Sequence, residues 1–145
     1  MTERNERDAD VFGFCCLRFP VSDLKASVDF YCDVLAFEVT SADFAFGEAH
    51  VSLKGGNGPS IFLMQTAPEH VRPLKFVFPR SFFITNSDGE VTVIELWTND
   101  VRALHERVTK SGVQSGEIST KDEFSYFTFL DPDGHYIRAV EERTR

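Results

Sequence analysis

Over residues 13–21 the chain alternates: Leu17, Phe19 and Val21 share one parity, and Cys16 and Arg18 the other. That period of two predicts a half-buried strand, and Pro20, which cannot donate to a ladder, predicts its end. The period then lengthens. Leu24, Val28, Tyr31 and Leu35 recur at helical spacing behind Ser22, a good N-cap, and Asp23 in the first turn, so a helix is expected over 23–35. Three strands are expected next, at 37–40, 44–53 and 60–65, with Gly55-Gly56-Asn57-Gly58 as the last hairpin turn.

The same order returns after an irregular, proline-bearing stretch that ends in Asn86-Ser87-Asp88-Gly89. A strand is expected over 91–98, then a helix over about 100–111 capped by Asn99 and ended by Gly112. Strands near 116–119, 124–130 and 135–142 follow, with Asp131-Pro132-Asp133-Gly134 in the place of the earlier glycine turn. Sliding one half over the other puts Asp23 on Asp100, Cys16 on Val93 and Arg18 on Glu95 at an offset of 77, and Gly58 on Gly134 and Phe62 on Arg138 at 76. The expected organisation is a frayed N-terminus (1–12), a first βαβββ module (13–65), a linker (66–90) and a second βαβββ module (91–145). One module is too small to hide its second face, so two should join in an α+β fold: a cup-shaped mixed sheet with helices on the outer face.

Composition adds one signal: 15 of the 19 aromatic residues are Phe, which carries no polar handle and suits an apolar lining. A net charge of −8 without clustered Lys and Arg argues against a nucleic-acid partner. No apolar run reaches the roughly 18 residues that span a bilayer, and the opening MTERNERDAD is unlike a signal peptide, so no membrane partner and a cytoplasmic location are expected. Cys15, Cys16 and Cys32 have no metal-type spacing and read as free, reduced thiols.

The segments Val21-Ser22-Asp23-Leu24, Phe30-Tyr31 and Val34-Leu35-Ala36-Phe37 resemble the vicinal oxygen chelate superfamily, which includes glyoxalase I, bleomycin-resistance proteins and extradiol dioxygenases. Asn99-Asp100-Val101, Lys110-Ser111-Gly112-Val113 and the closing run from Phe127 to Arg138 are similar too. The resemblance covers nearly the whole chain. It implies the paired-module fold and a homodimer, and it implies four metal-ligand positions on the first and fourth strands of the modules. Seven residues before Asp23 and Asp100, and four after Gly58 and Gly134, those positions are Cys16, Val93, Phe62 and Arg138. Two hydrocarbons and a guanidinium, which has no lone pair to give, make a metal centre unlikely chemistry, and neither metal nor other cofactor is expected.

Other residues do not rebuild a metal site readily. His135 and Glu141 would lie six residues apart on one strand, about 20 Å at ~3.3 Å per residue, too far to share an ion. Glu48 and His50 could point the same way from the third strand, although a polar edge explains them as well; His70 and His105 read as solvated. The cup-facing set is Cys16, Arg18, Ser60, Phe62, Met64, Val93, Glu95, Trp97, Tyr136, Arg138 and Val140, opposite an apolar set packed under the helices. Arg18 and Glu95 are expected to pair across a near-twofold axis, leaving Arg138 for an anionic or carbonyl-bearing ligand, with Glu95 as its alternative partner. The favoured reading is a metal-independent small-molecule binding protein for an aromatic or amphipathic ligand, held by Cys16, Arg18, Phe62, Met64, Val93, Glu95, Trp97, Tyr136 and Arg138. A lyase, isomerase or dioxygenase, either with a displaced, non-standard metal site or metal-free with Glu95 as base and Arg138 as stabiliser, is the alternative; an interaction module with a filled cup is a third.

Overall fold

The computed structural model describes residues 10–77 and 90–143. Its first half runs β1 (Cys16–Val21), α1 (Leu24–Asp29), β2 (Phe37–Asp43), β3 (Glu48–Leu53) and β4 (Ser60–Gln65). The strand order is β1-β4-β3-β2, with β1 and β4 parallel and the other neighbours antiparallel. A parallel pair needs a crossover, and α1 supplies it. Asp23, not Ser22, is the N-cap: its carboxylate accepts from the Ala26 N–H at 3.1 Å. Beyond Asp29 the helix widens into a π turn over Phe30–Val34, which buries Phe30 and Tyr31.

The linker is less irregular than its composition suggests, because β5 (Lys75–Val77) pairs antiparallel with β6 (Glu90–Thr92). The strand expected over 91–98 is therefore broken. It bends at Val93, leaves that side chain 43% exposed, and resumes as β7 (Ile94–Trp97). The second sheet, ordered β7-β10-β9-β8, continues with α2 (Val101–Lys110), β8 (Ser119–Lys121), β9 (Phe124–Leu130) and β10 (Tyr136–Glu142). Asp100 rather than Asn99 caps α2, accepting from the Ala103 N–H at 3.0 Å. The two caps thus lie 77 residues apart, the offset of the repeat. The strand expected near 116–119 begins only at Ser119, with one isolated bridge before it between Ser115 and Phe129.

Each sheet buries one parity of its strands. Phe19, Val21, Ile61 and Leu63 from the first module, and Phe127, Phe129, Ile137 and Ala139 from the second, belong to a single apolar core with Leu24, Val28, Val101, Leu104 and Val108 of the helices. A fully buried side chain of this size contributes roughly 1.5–3 kcal/mol. The modules meet through this core: the Phe30 and Phe129 rings lie 6.3 Å apart, and the Arg107 Nε donates to the Val34 carbonyl at 3.0 Å. The opposite face of each sheet is left to the remaining parity. No helix among the described residues is long and apolar enough to cross a membrane.

The Asp131-Pro132-Asp133-Gly134 turn does more than reverse the chain. Asp131 Oδ1 accepts from the N–H groups of Asp133 and His135, both at 2.9 Å, while Oδ2 accepts from the Tyr31 hydroxyl of the first module at 2.8 Å. Asp133 accepts from the Ser22 N–H at 3.0 Å and the Ser27 hydroxyl at 3.4 Å. His135, 1% exposed, lies under Phe19 with ring centroids 4.9 Å apart. The Leu74 N–H can only donate, so the Nδ1 it meets at 2.9 Å is unprotonated, and Nε2 carries the hydrogen that reaches the Pro20 carbonyl at 2.8 Å. Gly134 holds φ +87 with its missing Cβ facing Pro73, a conformation that L side chains rarely adopt. Burial pushes the Asp131 carboxyl up, against the lowering pull of His135 and its hydrogen-bond donors. Burial likewise pushes the Tyr31 hydroxyl well up, and the Asp131 charge adds to it.

Candidate functional site

The helix-free face of the second module, with β6 beside it, forms an open cavity of about 900 Å³. Register explains who lines it. Glu95 on β7 stands beside Arg138 on β10, which stands beside Thr128 on β9; Trp97, Val140 and Tyr126 form the next row. Arg138 Nη1 lies 3.1 Å from Glu95 Oε1, and the guanidinium carbon sits 5.1 Å above the Tyr126 ring. Its Nε is buried without a hydrogen-bond partner. Tyr136 donates to the Thr128 hydroxyl at 3.3 Å, and Trp97, 66% exposed, leans toward Phe124 with centroids 6.2 Å apart.

This arrangement corrects the expected pairing. Glu95 neutralises Arg138 rather than Arg18, so Arg138 is not the unpartnered cation of the site. With the side chains 53% and 38% exposed, the pair contributes on the order of 1 kcal/mol or less to stability. Tyr126, Thr128 and Phe124 were missed by sequence reasoning, although their alternation along β9 and the antiparallel register with β10 place them on the Arg138 face.

Across β1, β4 and β3 of the first module, Arg18, Phe62 and His50 form the equivalent row. The Arg18 guanidinium carbon lies 4.8 Å over the Phe62 ring, and its Nη1 donates to Met64 Sδ at 3.5 Å. The His50 ring packs on Phe62 at 4.4 Å, with Nδ1 3.4 Å from the Ser60 hydroxyl. Cys16 heads this face half-buried; burial and then the adjacent Cys15 thiol push its thiol up, against the pull of Arg18. A thiol held protonated is a poor nucleophile.

The sequence-selected residues therefore fall into two groups. Cys16, Arg18, Ser60, Phe62 and Met64 share the first module's face, while Glu95, Trp97, Tyr136, Arg138 and Val140 line the second module's cavity. Every residue lining that cavity comes from residue 90 onward, so within one chain the first module's face does not contribute to it. Val93 sits at the bend between β6 and β7. His70 is exposed, as expected. His105 is not simply solvated, since its Nε2 lies 2.9 Å from the Gly116 carbonyl and its ring meets Phe127 edge-on.

At the four positions that the resemblance implies for metal ligands, Phe62 and Val93 offer no donor atom, Arg138 is paired with Glu95, and Cys16 alone carries a donor, a free thiol. Among the described residues, no three His, Cys, Asp or Glu side chains converge to hold an ion.

Two stacked βαβββ modules, each with a polar-aromatic face left open by its helix, define the architecture of a superfamily, and the chain belongs to it: the model of the Glyoxalase/Bleomycin resistance protein/Dioxygenase superfamily matches residues 13–139. Among solved structures it is similar to TnmS3, an antibiotic binding protein from Streptomyces sp. CB03234, at 23% identity and a TM-score of 0.65, covering 92% of this chain and 98% of that one. TioX from Micromonospora sp. ML1 is similar at 16% identity and a TM-score of 0.61, covering 90% and 99%. A superfamily member from Sphaerobacter thermophilus DSM 20745 aligns at 20% identity and a TM-score of 0.60, covering 91% and 98%. No curated protein sequence matches. At these identities the likeness to solved structures concerns the fold.

Proposed function

We propose that this chain is a metal-independent small-molecule binding protein that holds an aromatic or amphipathic ligand against the second module's open face, with a second copy completing the site. The observation that carries this reading is the cavity of about 900 Å³ walled by Trp97, Phe124, Tyr126 and Tyr136 around a neutralised Glu95–Arg138 pair. Aromatic walls interleaved with polar side chains, among them Glu90, Lys121 and Asp122, suit stacking of an aromatic or amphipathic ligand with polar groups to fix its orientation. The antibiotic-binding description of TnmS3 points the same way. A homodimer is supported by the geometry of the faces: each is open within one chain, and Trp97 and Phe124 are exposed side by side, an apolar patch of the kind that marks interaction sites.

Trp97 is the chain's single tryptophan, so it reports directly on its own cavity. Planar aromatic compounds, antibiotics among them, are expected to quench its fluorescence saturably in protein stripped of metal with a chelator. Sedimentation equilibrium is expected to give twice the chain mass. Quenching that appears only when a divalent metal is restored would overturn metal independence, and a strictly monomeric protein would remove the second copy from the site.

Catalysis by Glu95 as base and Arg138 as stabiliser has less support. The base would first have to leave its 3.1 Å ion pair.

A further inference from the structure

The two modules carry the same row of positions with different charge. In the second, the edge-strand residue is Glu95 and the central one Arg138, and the two cancel. In the first, the edge-strand residue is Arg18, the central one Phe62, and the third His50. Among the described residues Arg18 has no carboxylate partner: its contacts are the Phe62 ring and the Met64 sulfur, a weak acceptor. Glu48 stands one row along, opposite Met64, and makes no ion pair with Arg18. The guanidinium carbon nonetheless lies over an aromatic ring, 4.8 Å from its centroid, and His50 on the neighbouring strand packs on the same ring at 4.4 Å.

A planar fork with unused donors, beside a ring face and the Ser60 hydroxyl, matches one class of ligand. We propose that the first module's face is an oxyanion subsite, in which Arg18 binds the carboxylate or sulfonate of a planar aromatic ligand whose ring lies against the Phe62–His50 pair. The fork pairs with two oxygens of the anion in its own plane, a geometry that a lysine does not reproduce. This rests on the small-molecule reading above and names its ligand class: aromatic acids rather than neutral or cationic aromatics. The negative whole-chain charge does not oppose it, because the local row carries cationic or neutral groups only.

A matched pair of dyes tests it. 1-Anilinonaphthalene-8-sulfonate and N-phenyl-1-naphthylamine share their rings and differ by the sulfonate. Both are titrated into the wild-type protein, Arg18→Met, Arg18→Lys and Trp97→Phe, with near-ultraviolet circular dichroism confirming that each variant keeps its packing. Arg18→Met keeps a stem over Phe62 and removes the charge. The sulfonate dye is expected to bind it about tenfold more weakly, with Arg18→Lys in between and the neutral dye unaffected. A sulfonate affinity indifferent to Arg18→Met overturns the subsite. Equal loss of both dyes does so too, since it would assign Arg18 a packing role only. If the neutral dye binds and depends on Trp97 while the sulfonate dye ignores Arg18, the small-molecule reading stands and the subsite falls. If neither dye binds the wild type, both fall.

Discussion

Glu141, the penultimate residue of β10, accepts a hydrogen bond at 3.0 Å from the N–H of Val101, the first residue of α2. Gln65, the last residue of β4, does the same for Leu24 at the start of α1, at 2.7 Å. The offsets are 76 between the acceptors and 77 between the donors, so each module ties its fourth strand to its own helix by one repeated contact. An unsatisfied N–H at a helix start costs on the order of 1 kcal/mol. Glu141→Ala and Gln65→Ala are each expected to lower unfolding free energy by about that amount in urea titrations, and Glu141→Gln to lose little. Equal stability of all three would mean that solvent satisfies these groups unaided.

Breaking the Glu95–Arg138 pair from the acidic side releases a guanidinium into an aromatic cavity. Because both side chains are substantially exposed, Glu95→Gln should change folding stability by less than about 1 kcal/mol. It should raise affinity for anionic aromatic probes several-fold, as read by Trp97 quenching. A fall in affinity would show that the carboxylate itself meets the ligand.

Asp131 makes stability depend on pH with an unusual sign for a carboxylate. Burial holds its folded pKa above the ordinary value of about 4. The folded chain then binds more protons than the unfolded one, so the stability this group contributes is full below about pH 4 and is lost as pH rises through its folded pKa. Asp131→Asn removes the titration while its amide oxygen still accepts from Asp133 and His135. The stability difference between variant and wild type is expected to move in the variant's favour as pH rises above about 4; a constant difference would place the carboxyl pKa at its unfolded value.

His135 is expected to be a structural residue. His135→Ala should cost about 2–4 kcal/mol, since it empties a packed position and leaves the Leu74 N–H and Pro20 carbonyl without partners. Glutamine, which can donate and accept at once, should recover part of that loss. Aromatic-dye affinity per folded molecule should stay unchanged in both variants, which separates His135 from the site.

Much of this fold was legible because its signals are local. Alternation in Cys16–Val21 and Tyr136–Glu142, helical spacing from Leu24, and the Asp23/Asp100 correspondence all report on a residue and its near neighbours. The bend at Val93 was not, because it depends on β6 turning aside to meet Lys75–Val77, a pairing between distant residues. The cap assignments missed by one position for a subtler reason: Ser22 and Asn99 are as good as their successors in composition, and backbone geometry chooses between them. For the site, strand parity sorted Arg18, Phe62, Glu95 and Arg138 onto the right faces. It could not say which arginine Glu95 would meet, because Arg18 and Arg138 share a parity, and lateral pairing along β7 and β10 decides.

The Asp131-Pro132-Asp133-Gly134 turn has no counterpart of its kind in the first module, whose equivalent Gly55-Gly56-Asn57-Gly58 turn carries no carboxylate. The loop that holds Tyr31, Ser22, Ser27 and Pro20 of the first module therefore belongs to the second module alone, and it acts beside the Arg107–Val34 contact at the helices. In a pair of chains, the width of any cleft formed between opposing faces would be set by the angle at this distant fastening. Changes at Ser22, Ser27 or Asp133 would then alter that width while the walls themselves stay the same.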